Sequence, residues 1–122
     1  MVNTVKKGYR LEKKARDELV RDGYTIWFKS TRTRFGCQDF ANLFDIVAVF
    51  SDGESKHRRY ISVKSFVSVS RHKEHIQHVQ NFAKVYGVYG KPSERFEVWL
   101  YKGNGKWQVE SFWGELNVYS AR

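Results

Sequence analysis

Phe44-Asp45-Ile46-Val47-Ala48-Val49-Phe50, a polar connection opened by Ser51-Asp52-Gly53, and then Tyr60-Ile61-Ser62-Val63-Lys64 decide how this chain folds. Each apolar run is short, rich in β-branched and aromatic residues and bounded by turn formers, which is the signature of a buried strand. Glu54 to Arg59 completes the polar loop, so the two runs are expected to pair as a hairpin. Asp45 begins the first run and Lys64 ends the second, so the hairpin brings an aspartate and a lysine to the same end. Ionisable groups at the edge of an apolar sheet are costly unless paired or ligated. A salt bridge closing the hairpin is the ordinary use of such a pair, and a reactive site is the other.

Working outward, residues from about Val5 to Arg21 read as a helix. Leu11, Ala15 and Leu19 recur every fourth position and form an apolar stripe. Asp22-Gly23 is a stop signal, because glycine accepts the left-handed conformation past a last turn. Glu12 flanks the stripe instead of facing open water. Tyr24 to Lys29 reads as a strand, and Ser30 to Asn42 as a loop dense in Arg32, Arg34, Ser30, Thr31 and Thr33. Hydroxyls, guanidinium groups and backbone amides together are what phosphate contacts use. Asp39 lies in this loop and competes with Asp45 as a functional acid. Asp45 is preferred because a strand anchors it.

Beyond the hairpin, Ser70 is placed to cap a helix from about Arg71 to Tyr86, ended by Gly87. Ile76, Val79, Phe82 (or Ala83) and Tyr86 form its apolar face, and Gln77 and Gln80 are placed to turn back toward the hairpin. His72, His75 and His78 fall three apart and drift around a helix. Without a H-E-x-x-H signature they read as a polar, phosphate-facing surface and not as a zinc site. Phe96 to Tyr101 and Lys106 to Phe112 flank Gly103-Asn104-Gly105, a strong hairpin signal. Trp99, Trp107 and Trp113 supply apolar mass there, as core or as dimer contact. The order α-β-β-β-α-β-β argues for an α/β or α+β layer fold with a central mixed β-sheet flanked by helices.

The chain has 122 residues, 41% hydrophobic and 16% aromatic. That is enough for one globular domain over residues 1–122 and too little for two. Lys and Arg number 22 against 13 Asp and Glu, a net charge of +9. Such an excess on a small domain is the footprint of a polyanion binder, nucleic acid first and an anionic membrane surface second. No apolar run approaches the roughly 20 residues needed to span a bilayer. Met1 to Arg10 is polar and basic, unlike a signal peptide. Cys37 is alone, which excludes an intrachain disulfide and a cysteine-rich zinc site. A cytoplasmic protein that does not enter membranes is therefore expected.

Gly8-Tyr9-Arg10-Leu11-Glu12, the Asp45-Ile46-Val47-Ala48 strand and Val63-Lys64-Ser65, in this order and spacing, resemble the PD-(D/E)XK nuclease superfamily. Within it, the likeness is nearest to archaeal-type Holliday junction resolvases and their viral relatives, and it runs from about Gly8 to Gly87. The C-terminal hairpin lies outside it. The resemblance implies a restriction-endonuclease-like core and hydrolysis of phosphodiester bonds in DNA, branched DNA above all. It makes Glu12 and Asp45 carboxylate ligands of Mg²⁺ (Mn²⁺ as substitute), with the backbone carbonyl of Val63 as a third ligand. Lys64 would orient the attacking water and stabilise charge on the phosphate. Mg²⁺ prefers such hard oxygen donors and retains waters. The likeness also implies a homodimer, so that two sites meet two strands of a junction. Arg32, Arg34, Arg58 and Arg59 are the candidate DNA contacts.

The chain departs from that pattern at one place. The superfamily carries Glu, Asp or Gln two residues before the lysine, where this chain has Ser62. Three consequences stay open: compensation by Glu74 (with Gln77 as a further auxiliary group), weak metal affinity, or a nuclease fold that binds nucleic acid without cutting it.

Overall fold

The computed structural model describes residues 4–33, 36–41, 43–65, 69–86, 94–113 and 118–121. Among them are two helices, α1 (Thr4–Arg21) and α2 (Val69–Tyr86). The strands are β1 (Thr25–Lys29), β2 (Thr31–Thr33), β3 (Gly36–Gln38), β4 (Ile46–Ser51), β5 (Lys56–Lys64), β6 (Glu94–Gly103), β7 (Lys106–Phe112) and β8 (Val118–Ala121). Six strands form one mixed sheet in the order β1-β4-β5-β6-β7-β8, and β2 and β3 form a small ribbon of their own. The expected α/β architecture with a central mixed sheet is therefore present. β2, β3 and β8 were not anticipated. The first two are three residues each, too short for a period-2 pattern to stand out.

β4 and β5 pair antiparallel as expected, Ile46 against Ile61. β5 begins earlier than expected: Lys56 to Arg59, read as loop, pair with Ser51 to Ala48, which leaves a tight turn at residues 52–55. β5 then pairs parallel with β6, so α2 is the crossover between them. Alternation along the strands sends Ile46, Ala48, Ile61 and Val63 to one face, where Leu11, Ala15 and Leu19 of α1 cover them. Val47, Tyr60, Phe96 and Val98 go to the other face, beneath Val79 and Ala83 of α2. Each such aliphatic or aromatic side chain, fully buried, contributes about 1.5–3 kcal/mol. The second face is held chiefly by aromatic rings: Tyr60 stacks on Phe96 at 4.7 Å, and Phe44 meets Phe82 edge-on at 5.2 Å.

Several local readings shift. Gly23 has φ of 95° and closes α1 as expected, with the Tyr24 amide donating to the Leu19 carbonyl at 2.9 Å. Ser70 lies inside the first turn of α2, which begins at Val69, and so is not its cap. Gly87 lies outside the described residues. Trp99 and Trp113 are core residues, 4% and 9% exposed, which leaves them no part in a dimer contact. No described helix is long and apolar enough to cross a membrane.

Candidate active site

Asp45 sits in a bend directly before β4, not within the strand. Phe40 and Phe44 exchange backbone hydrogen bonds at 2.8 and 2.9 Å, and Ala41 takes a φ of 54° to close this loop. The loop folds Asp39 back toward the sheet. The Asp45 amide donates to the Ile61 carbonyl and its own carbonyl accepts from the Ser30 amide, both at 2.8 Å. Its carboxylate is thereby fixed by backbone on both sides. Oδ2 accepts the Val63 amide at 2.7 Å, and Oδ1 lies 3.3 Å from the Ser30 hydroxyl. That hydroxyl has one proton to give, and its 2.5 Å contact with Asp39 Oδ1 takes it.

Three carboxylates from separate parts of the chain act on this point. Burial pushes the Asp45 carboxyl up to about 7, opposed by the Val63 amide. Glu12 and Asp39 raise it further by repulsion, and Lys64 lowers it. Glu12 reaches the site from α1 and is 3% exposed. It is buried for the reason the sequence suggested: it sits beside the Leu11–Ala15–Leu19 stripe, at the edge of the packed face. The structure thus brings Glu12, Asp45, Val63 and Lys64 into one neighbourhood. It adds Asp39 and Ser30, which the sequence had placed on a competing loop.

Ser62, where the superfamily carries an acid, is fully buried. Its hydroxyl lies 2.7 Å from Nε2 of His75 on α2. Burial pulls the His75 imidazole down to about 4, with Lys64, His78 and His72 adding repulsion, so the ring is neutral at pH 7. Glu74, the expected compensating acid, is exposed. Gln77 is also exposed and donates to Asn81 at 2.8 Å along its own helix, which takes it away from the hairpin. The auxiliary group at Ser62 is therefore His75, one residue past Glu74. A helix turns about 100° per residue, so one position decides whether a side chain meets the sheet or water. Both ring nitrogens of His72 are buried without a hydrogen-bond partner among the described residues.

The arginines divide. Arg59 places Nε and Nη2 at 3.0 and 2.7 Å from Oε1 of Glu97, which is wholly buried. Its guanidinium lies over the rings of Tyr24 and Trp99 at 5.2 and 5.3 Å. Expected as a DNA contact, it is instead the counter-ion of a core carboxylate, because its strand parity turns it toward the α1 face. Arg58 points the other way, 41% exposed, and pairs with Glu94 at 3.3 Å. The side chain of Arg32 and all of Arg34 lie outside the described residues.

Among the described residues no group of three or more His, Cys, Asp or Glu has metal-holding geometry. The donor set implied for Mg²⁺ contains two acids, Glu12 and Asp45, and a carbonyl, so it does not require such a group. Its chemistry fits a hard divalent cation. Burial, with repulsion from Glu12 and Asp39 added to it, holds a proton on the Asp45 carboxyl up to near neutrality, and a bound cation would offset both effects. No protein-family model matches this chain, and no curated protein matches it either.

Proposed function

We propose that this chain is a metal-dependent DNA endonuclease with a restriction-endonuclease-like core, acting on branched DNA. One observation carries the reading: Asp45, buried and backbone-fixed, faces a second buried acid, Glu12, with Lys64 beside it. An excess of buried carboxyl groups over cations, with one carboxyl raised toward neutrality, is an arrangement that a bound divalent cation would relieve. Glu12, Asp45 and the Val63 carbonyl would hold Mg²⁺ or Mn²⁺, which when bound supplies an activated water and neutralises phosphate charge.

The chain's own groups do the rest. The Val63 amide, donating to Oδ2, fixes the rotamer of Asp45, and the Ser30 amide and Ile61 carbonyl fix its backbone. Lys64, at the end of a nine-residue strand, presents an ammonium group to the incoming phosphate and to the water beside it. The +9 charge draws DNA to this surface in an intracellular, cytoplasmic setting. A homodimer would set two such sites against two strands.

A second reading, a nuclease fold that binds nucleic acid without cutting, is favoured by one observation only. A neutral Ser62–His75 pair stands where a third anionic ligand is expected. One assay separates the two. A labelled four-way junction, a duplex and a single strand are incubated with the protein in EDTA, Mg²⁺ or Mn²⁺. Cutting of the junction that depends on metal supports the endonuclease. Retarded but intact DNA under every condition supports the binding protein. Sedimentation at micromolar concentration, with and without junction, tests the dimer.

A further inference from the structure

Trp27 is the extra residue of a β-bulge. Its neighbours Ile26 and Phe28 pair with Ala48 and Val47, consecutive residues of β4, which leaves Trp27 with no residue opposite. β1 is an edge strand, and a bulge there re-aims the inserted side chain. The indole is 66% exposed, and the Arg58 guanidinium lies over it, 5.1 Å from the ring centroid.

Arg58 belongs to the row Thr25–Val49–Arg58–Glu94, which crosses four strands on the α2 side of the sheet. The next row on that face, Phe28–Val47–Tyr60–Phe96, packs with α2. A groove of about 750 Å³ opens along the first row, lined by Trp27, Val49, Phe50, Lys56 and Arg58, with Glu94. Glu94 and the Tyr60 hydroxyl hold the Arg58 guanidinium at 3.3 and 3.2 Å. The arginine is thus positioned before any ligand arrives.

We propose that this groove binds an unpaired, single-stranded stretch of DNA. One base stacks on Trp27, and the adjoining phosphates meet Arg58 and Lys56. Aromatic faces set among cations are how proteins hold single strands, since every base has a π-face and every linkage a charge. A duplex offers the phosphates but keeps its base faces stacked inside. The excess positive charge of the chain selects a polyanion over an acidic or neutral peptide.

The inference rests on the endonuclease reading for its place in the substrate. Trp27 falls opposite the Val47–Ala48 step of β4, two to three residues along that strand from Asp45, about 7–10 Å at the usual strand rise. At about 3.4 Å per nucleotide of stacked strand, the captured base lies roughly two to three nucleotides from the phosphate at Asp45.

The full chain, in EDTA and low salt, is titrated with a short oligothymidylate while tryptophan emission is followed. Saturable quenching is expected. Trp27→Ala should remove most of it and weaken binding about tenfold, whereas Trp27→Phe should bind within about threefold of the parent. An abasic strand of equal length should bind the parent as weakly as oligothymidylate binds Trp27→Ala. Equal affinity of the parent for the two strands, or of Trp27→Ala and the parent for oligothymidylate, overturns the proposal. Junction cutting in Mg²⁺ is read alongside. Cutting without Trp27-dependent binding removes the groove and leaves the endonuclease. Trp27-dependent binding with no cutting in any metal keeps the groove and removes the endonuclease.

Discussion

The Ser62 hydroxyl lies 2.7 Å from Nε2 of His75 and ties β5 to α2 beside the acidic site. The imidazole occupies the space into which a longer acid at residue 62 would reach. Ser62→Glu alone should therefore destabilise the protein by about 2–4 kcal/mol, since it adds an unpaired charge at a fully buried position. Removing the ring as well, in Ser62→Glu with His75→Ala, should recover much of that loss and tighten Mg²⁺ binding in calorimetry. Glu74→Gln should change neither stability nor metal affinity. A double variant no tighter for Mg²⁺ than the parent would place residue 62 away from the metal.

His75 also sets a pH dependence. Its imidazole titrates near 6.5 when unfolded and at about 4 in the fold. Its contribution to stability is complete above about pH 6.5 and is lost as pH falls through 4. Solvent screens this half-buried ring, so the loss is roughly 1–2 kcal/mol. Denaturant melts in EDTA at pH 7.5 and 4.5 should show that drop diminished in His75→Gln. An equal drop in both proteins would mean that the ring is not desolvated.

Asp45 runs in the opposite sense. Its carboxyl titrates at 3.8 unfolded and at about 7 folded, so its favourable contribution is complete below pH 3.8 and lost as pH rises through 7. Asp45→Asn should gain about 2–4 kcal/mol over the parent at pH 8 in EDTA, about a third of that at pH 5, and little at about pH 3.5. The same variant should abolish cutting and keep DNA binding, because it removes both a metal ligand and a repulsion with phosphate. A pH-independent gain, or full cutting activity, would contradict the assignment.

Glu97 accepts hydrogen bonds from Arg59, Trp99 and Ser111, the last at 2.7 Å, and has no solvent contact. Glu97→Gln should cost about 3–5 kcal/mol in urea unfolding, because it strands the Arg59 charge in the interior. A loss below about 1 kcal/mol would show that Arg59 escapes to solvent and is free to meet phosphate.

DNA affinity should fall roughly a thousandfold between 50 and 200 mM salt if about six phosphates are contacted. Filter binding across that range measures the slope. A flat response would rule out a phosphate-tracking surface.

The hydrophobic periodicities were enough to place both long helices, the β4–β5 hairpin and the β6–β7 hairpin. Each is a local pattern, repeated along one element, that only one face of a helix or strand can satisfy. Asp45 and Lys64 could be brought together on the same grounds, since an antiparallel turn relates their positions directly. The contribution of Glu12 was legible as a carboxylate beside a core stripe. Tertiary packing alone decided the rest. Whether Glu74 or His75 meets Ser62 depends on the rotation of α2 over the sheet, which sequence spacing within the helix does not set. Arg58 and Arg59 are neighbours of identical composition, and strand parity sends one to a groove and the other to a buried glutamate. Trp27 reads as an ordinary alternating strand residue until the pairing of β1 with β4 leaves it without an opposite residue. Relationships between elements depend on register and rotation, and those are settled only when the faces pack.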